Sequence, residues 1–361
     1  MTQDLPILSP DRLDAAWMTR ALHQAGHDVH LTGMSMESVG AGQVGDTLRF
    51  TLDYAGAVPA GAPRSVIGKF PAANAQSREA AVMFNIYRNE TMFYRHLAAT
   101  AGMRVPKPYL ALFAPETHDF IVLLEDLGHL RPGDQMAGCT LDETLVVVTE
   151  AARLHASHWQ DPVLLAADWV LKPDAAWGFY TTDIMAGLWP GFVERYGSGL
   201  DADVFRVAEA LVRNFKAWSA PRPGPRAITH NDLRPDNMLF GRTPDDPALV
   251  VVDWQTMTLG TGAVDLAYFV GGALDRATRQ AHEEEIMKVY YAELLARGVS
   301  GYSFADLVAD YRHLSFVGAV MAIGASMLVK QTERGDRMFM SMLSHAAHHV
   351  LDLGALDVLP A

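Results

Sequence analysis

The chain has 361 residues, half of them hydrophobic and a fifth charged, which is enough for two lobes with a real core. Its formal net charge of −13 excludes a general nucleic-acid binder, because no basic surface is implied. The only cysteine, Cys139, excludes an intramolecular disulfide and a cysteine-based zinc site. With an N-terminus lacking a basic start and an apolar run, it points to a reducing, cytoplasmic setting.

Asp11 to Ala25 places Leu13, Trp17, Ala21 and Leu22 on one side at helical spacing. Gly40-Ala41-Gly42-Gln43-Val44-Gly45 then matches Gly-x-Gly-x-x-Gly. A dinucleotide site would open a helix here, but Thr47 to Tyr54 alternates like a strand. Two readings stand: an ordinary glycine-rich hairpin, or one whose backbone amides approach phosphate. Ser65 to Phe70 is a further strand with Lys69 at its end, where a kinase holds the lysine for the α- and β-phosphates.

Ser77 to Thr100 is expected to be one long helix with Met83, Ile86, Phe93 and Leu97 along a stripe. Glu90 falls within that stripe, and a buried carboxylate needs a partner. Lys69 is the candidate partner. Glu79, in the polar first turn, is the less favoured alternative. Val105-Pro106-Lys107-Pro108 ends the helix, and Tyr109 to Phe113 and Phe120 to Leu124 are strand-like. In a kinase plan Glu125-Asp126-Leu127-Gly128 is the hinge. Glu125 and Leu127 are adenine-site candidates through their backbone groups, with no side-chain role following for Glu125 or Asp126.

Thr140 to Trp159 is an amphipathic helix in which His155 reads as a buried, hydrogen-bonded structural histidine. Asp161 to Leu200 is rich in aromatics, among them Trp169, Trp177, Tyr180, Trp189 and Phe192. It is either peripheral packing or the wall of a pocket for an apolar substrate. Asp201 to Ser219 is helical.

Next comes Ile228-Thr229-His230-Asn231-Asp232-Leu233-Arg234-Pro235-Asp236-Asn237, of the form His-x-Asp-Leu-x-x-x-Asn. Phosphoryl transfer needs a carboxylate to orient and accept the proton of an attacking hydroxyl, and an amide oxygen for Mg²⁺. Asp232 and Asn237 supply both. A plain polar loop is the alternative, so the partners elsewhere decide. Leu249 to Val252 is an apolar strand ending in Asp253, where a kinase places a second metal ligand. Asp265 reads as a cap or loop anchor. The remainder is expected as helices over Arg276–Arg297, Phe304–Lys330 and Arg334–Leu353, with Glu283 to Glu285 as a solvated face. The apolar run from Leu314 to Val329 is short for a membrane span and reads as a buried helix. His345, His348 and His349 have no acid in register for a metal.

Together these pieces resemble the aminoglycoside phosphotransferase and choline kinase superfamily, most closely its ecdysteroid kinase-like branch. The resemblance rests on Gly40 to Gly45, Lys69, Asn89-Glu90 with Phe93-Tyr94-Arg95, Leu123 to Leu127, Leu154-His155, His230 to Asp232, Asn237, Asp253-Trp254-Gln255 and Asp265-Leu266-Ala267, in the family's order over roughly two-thirds of the chain. It implies an α+β, two-lobed protein-kinase-like fold, with a β-rich lobe over residues 1–125 and a helical lobe over 126–361. ATP and Mg²⁺ are implied between them. Asp232 would be the base, Asn237 and Asp253 the metal ligands, and Lys69, placed by Glu90, the phosphate grip. Gly40, Gly42 and Gly45 would cover the phosphates.

Asn231 replaces the arginine of protein kinases, and no Ala-Pro-Glu follows Asp253. Both departures favour a small-molecule acceptor over a protein. Arg234 stands where protein kinases carry a lysine near the γ-phosphate and is a candidate to stabilise transferring charge. Trp177, Trp189, Trp254 and Tyr268 suggest a largely apolar acceptor, with choline-like cations second and aminoglycosides third. A non-catalytic nucleotide-binding module is the rival from another class. Its mark would be loss of the base or a metal ligand, and none is lost.

Overall fold

The computed structural model describes residues 5–39, 45–172 and 180–360. The chain divides into two compact units. The first comprises Met1–Thr100, Val105–His129 and Asp253–Gln255; the second comprises Ala101–Arg104, Leu130–Val252 and Thr256–Ala361. No helix among the described residues is long and apolar enough to cross a membrane.

The first unit is built on an antiparallel sheet of β1 (Leu31–Ser38), β2 (Gly45–Tyr54), β3 (Ser65–Pro71), β4 (Pro108–Phe113) and β5 (Phe120–Glu125), in the order β1-β2-β3-β5-β4. Alternation along β3 and β5 sends Val66, Phe70, Ile121 and Leu123 into a core shared with α1 (Ala15–Gln24), whose Trp17, Met18 and Leu22 are buried there. Gly68 lies under this core. A Cβ at Gly68 would meet the Phe70 and Phe50 rings at 2.7 and 2.8 Å, so only glycine lets the two rings cross the strand.

The helix expected over 77–100 is two helices, α2 (Ala75–Met83) and α3 (Ile86–His96). Asn85 between them has φ of 55°, a left-handed conformation that asparagine tolerates better than most residues. The break swings Met83 out of the expected stripe, and it is 70% exposed. The second helix keeps its face: Tyr87 stacks on Phe120 at 4.5 Å, and Phe93 and Glu90 are buried.

The second unit is mostly helical. It begins with β6 (Arg131–Pro132), α4 (Leu141–Ser157), α5 (Pro162–Ala166), α6 (Thr182–Tyr196), α7 (Ala202–Arg213) and α8 (Phe215–Trp218). Short strands follow: β7 (Ala227–Thr229), β8 (Met238–Phe240), β9 (Leu249–Val251) and β10 (Thr258–Gly260). They pair as β10-β7 and β6-β8-β9 and hold the loop after β7 on two sides. The chain ends in α9 (Ala263–Ala273), α10 (Arg276–Ala296), α11 (Phe304–Leu314), α12 (Val317–Leu328) and α13 (Glu333–Asp352).

The helix expected over 304–330 is thus two, α11 and α12. Buried Ser315 closes the first by donating its hydroxyl to Arg312 O at 2.9 Å. Glu283 departs from the expected solvated face. It accepts from Tyr311 Oη at 2.7 Å and Arg279 Nη1 at 3.1 Å, and His349 Nε2 lies 2.8 Å away. The Arg279 guanidinium is itself buried and also pairs with Asp352, so this network is part of the core.

Candidate active site

In the first unit, β3 and α3 bring two charges together. Lys69 is on the strand face opposite Gly68 and Phe70, and its Nζ lies 2.6 Å from Glu90 Oε1 and 2.8 Å from Asp253 Oδ1. Glu90 is 2% exposed. Burial alone would discharge Lys69, but the carboxylates of Asp253 and Glu90 outweigh it and hold the ammonium charged, with its pKa above the usual lysine value. Burial pushes the Glu90 pKa up, with Lys69 opposing that shift. Asp253 has φ of 68°, and its Oδ2 accepts from Gln255 Nε2 at 3.1 Å. Trp254 is fully buried and stacks face to face on Phe93, with centroids 3.8 Å apart. This corrects the expectation that Trp254 presents apolar surface to an acceptor: its ring anchors the Asp253 segment to α3.

The end of β5 is fastened by a residue to which sequence reasoning gave no role. Asp126 accepts from Arg49 Nε at 2.6 Å, Ser65 Oγ at 2.6 Å and Gly128 N at 3.0 Å. Burial opposes its ionisation, yet these donors hold its pKa below the usual carboxylate value. A Cβ at Gly128 would meet Arg49 Nη2 at 2.5 Å, which explains the glycine. Glu125 ends β5, donating its backbone N–H to Lys107 O at 2.9 Å, and Leu127 is buried. Gly45 opens β2, where an added Cβ would lie 3.1 Å from Phe70 O. Gly40, Gly42 and Trp177 lie outside the described residues.

In the second unit, the loop after β7 is built around Asp265 at the first turn of α9. Its Oδ2 accepts from His230 N at 2.7 Å and its Oδ1 from Asn231 N at 2.7 Å. His155 of α4 lies with Nε2 3.0 Å from Asp265 Oδ2 and Nδ1 2.7 Å from the Tyr290 hydroxyl. All five residues are buried, so α4, α9 and α10 hold the loop through one carboxylate. Asn231 takes φ of 62° and donates Nδ2 to Thr256 O at 2.8 Å and Thr258 Oγ1 at 2.9 Å. An arginine would neither adopt this backbone as readily nor fit these partners. His230 Nε2 reaches Val252 O at 3.0 Å, and its Nδ1 accepts from Asp232 N at 3.2 Å.

Asp232 is thereby presented with both oxygens engaged. Tyr268 Oη donates to Oδ1 at 3.0 Å, and Asn237 Nδ2 to Oδ2 at 2.8 Å. Arg234 Nε stands 3.1 Å from Oδ1, while its Nη1 donates to Asp236 Oδ2 at 2.7 Å. Burial opposes the Arg234 charge, but Asp232 and Asp236 more than restore it, so the guanidinium stays protonated. Asn237 also donates to Asp232 O at 2.9 Å, which leaves its Oδ1 as the atom able to take a cation. Val252, the residue before Asp253, donates its N–H to Asn237 O at 3.0 Å. Tyr268 thus contributes a hydroxyl to the Asp232 carboxylate, a contact that was not expected of it. Trp189 is half-buried, stacked on Phe192 and tilted against Phe205, so it joins α6 to α7.

Among the described residues no group of three or more His, Cys, Asp or Glu side chains forms a metal cluster. Asn237 Oδ1 in the second unit and the Asp253 carboxylate in the first are each a hard oxygen donor of the kind Mg²⁺ takes.

No curated protein sequence matches the chain. Solved structures do. One is described as a putative aminoglycoside phosphotransferase from Ralstonia eutropha, with 16% identity and a TM-score of 0.54, covering 96% of this chain and 98% of that one. Another is an aminoglycoside 2'-phosphotransferase-IIIa in complex with GDP, with 14% identity and a TM-score of 0.52 over 92% and 98%. At these identities the likeness shows the fold, which is α+β and protein-kinase-like. The model of the phosphotransferase enzyme family matches residues 86–306, more than half of the chain. This stretch holds Glu90, Asp232, Asn237, Asp253 and Asp265, so the chain belongs to the phosphotransferase enzyme family and is a small-molecule kinase.

Proposed function

We propose that this kinase moves the γ-phosphate of ATP to a hydroxyl of a small, largely apolar molecule. The observation that carries the reading is the presentation of Asp232, with Tyr268, Arg234 and Asn237 fixing its carboxylate in a loop anchored by Asp265. A carboxylate so held can accept the proton of an acceptor hydroxyl as its oxygen bonds to the γ-phosphorus and the bond to the β,γ-bridging oxygen breaks. Lys69, kept charged by Glu90, would grip the α- and β-phosphates, and Gly40, Gly42 and Gly45 would cover them. Glu125 and Leu127 would offer backbone groups to the adenine. Asn237 and Asp253 would hold Mg²⁺, which when bound neutralises charge on the β- and γ-phosphates. Arg234 would stabilise charge on the transferred group while steadying Asp232.

Support for an apolar acceptor comes from the resemblance to the ecdysteroid kinase-like branch and from the aromatic, acid-poor segment over 161–200. A cationic acceptor such as an aminoglycoside would need several desolvated carboxylates. The test is transfer of label from [γ-³²P]ATP across terpenoid, steroid-like and acyl alcohols, choline and aminoglycosides. Efficient transfer to an aminoglycoside with none to any apolar alcohol would reverse the acceptor ranking.

A further inference from the structure

The face of the first-unit sheet that carries Lys69 continues away from it in ordered rows. Directly paired residues share a face, and the pairing sets Thr47, Lys69 and Val122 in one row and Glu37, Arg49, Ile67 and Leu124 in the next. Ser65, paired with Thr51, follows on β3, about 13 Å from Lys69 at the rise of an extended strand. Ser65, Ile67 and Lys69 are half-buried, whereas the alternating Val66, Gly68 and Phe70 are buried. This face therefore keeps an accessible aliphatic surface at Ile67, with a cation at one end.

Polar groups close the other end. The pairing of β3 with β5 stops at Val66 and Glu125, and the next residue, Asp126, takes over the hold on the chain. Its carboxylate accepts from Arg49 Nε at 2.6 Å and Nη2 at 3.2 Å, a two-point grip on the guanidinium, and from Ser65 Oγ at 2.6 Å. It also accepts from Gly128 N at 3.0 Å, so the chain is fixed on both sides of Leu127. Arg49 is steadied in turn by Glu37 Oε1, 2.9 Å from its Nη1. Side chains of β1, β2 and β3 thus converge on the segment that follows β5.

This network does more for position than for stability. The Arg49 side chain is 29% exposed, and a partly exposed ion pair contributes little free energy, whereas a bidentate one sets geometry. The segment it sets is the one whose backbone groups the kinase reading assigns to the nucleobase. A nucleotide with its phosphates at Lys69 would lay its base along the Ile67 row, towards Asp126.

We propose that Asp126, held by Arg49 and Ser65, is a positioning residue for nucleobase recognition, fixing the backbone of Glu125 to Leu127 in the geometry that reads the base. The inference rests on the phosphotransferase reading above and deepens it, because it separates what holds the base from what holds the phosphates.

The test uses the full chain with Mg²⁺ present and two probes whose binding is measured by calorimetry. One is ADP, and the other is inorganic tripolyphosphate, which has phosphates and no base. D126A should weaken ADP by about tenfold, the scale of one hydrogen bond to a charged group, and leave tripolyphosphate binding as in wild type. S65A removes one donor and keeps the carboxylate. It should show the same split at smaller size, and it decides the matter should D126A fail to fold. K69A should weaken both probes, marking tripolyphosphate as a reporter of the phosphate end. Equal ADP affinity in wild type, D126A and S65A would overturn the proposal alone. Equal losses of ADP and tripolyphosphate would overturn it too, since a mere strut of the sheet would act on both. Absence of ADP binding in wild type would instead sink the kinase reading, and this proposal with it.

Discussion

Tyr268 donates its hydroxyl to Oδ1 of Asp232 at 3.0 Å, from a helix 36 residues further along the chain. The phenol is buried, and burial together with the Asp232 charge holds its pKa well above the usual tyrosine value, so it stays a donor throughout the working pH range. Through this bond it orients the Asp232 carboxylate, as a positioning residue. Y268F should lower kcat by about tenfold, the worth of one hydrogen bond to a charged group, while leaving the KM for ATP nearly unchanged. A wild-type kcat in Y268F would reduce the contact to packing.

Lys69 and Glu90 form one buried pair, so their replacements should not be additive. K69A and E90A should each reduce kcat/KM severely, and the double variant should be little worse than K69A alone. If the losses sum in free energy, Glu90 does not act through Lys69.

Asp265 should matter for stability before chemistry. D265A would leave the His230 and Asn231 amides and the His155 imidazole without their shared acceptor in a dry interior. Breaking such a buried arrangement costs about 3–5 kcal/mol. Thermal unfolding of the second unit should fall by many degrees. An unchanged midpoint would show that other contacts hold the loop.

The proposed catalytic loop could be picked out because its candidate residues lie within eight contiguous positions, His230 to Asn237. His155 could also be read as a structural histidine from its apolar helix face, and Asp265 as a cap or loop anchor from its place at the start of a helix. What could not be read are bonds formed across long separations: Tyr268 to Asp232, Asp126 to Arg49, and Gln135 to Asp236, the last 101 residues apart. No local pattern distinguishes a tyrosine that donates to a base from one that only packs. The break at Asn85 was hidden for another reason. Apolar spacing continues across it, and a single left-handed residue changes direction without changing the pattern. Trp254 misled because its place beside the metal-ligand candidate suggested exposure, while Phe93 takes its ring into the core.

His313 gives a pH dependence with a definite sign. Burial first, then the nearby Arg222 charge, lowers its pKa to about 4, while its Nε2 contacts Trp218 O at 3.0 Å. The unfolded chain takes up the proton near pH 6.5 and the folded chain does not until about pH 4. The stability associated with the neutral ring is therefore complete above pH 6.5 and is lost as pH falls towards 4, by roughly 3 kcal/mol in the limit. Urea unfolding of wild type and H313Q between pH 7 and 4.5 should show the steeper decline in wild type. Parallel curves would remove His313 from the acid response.

The central claim is that Asp232 is the base of an ATP-dependent phosphotransferase. It is tested most directly by single-turnover transfer from [γ-³²P]ATP to the best alcohol of the panel, in wild type and D232N, with ATP binding measured alongside. The account predicts unchanged ATP affinity and transfer slowed by about 10²–10⁴, because the amide keeps the shape of the site but cannot accept the proton. Transfer by D232N at close to the wild-type rate would contradict it.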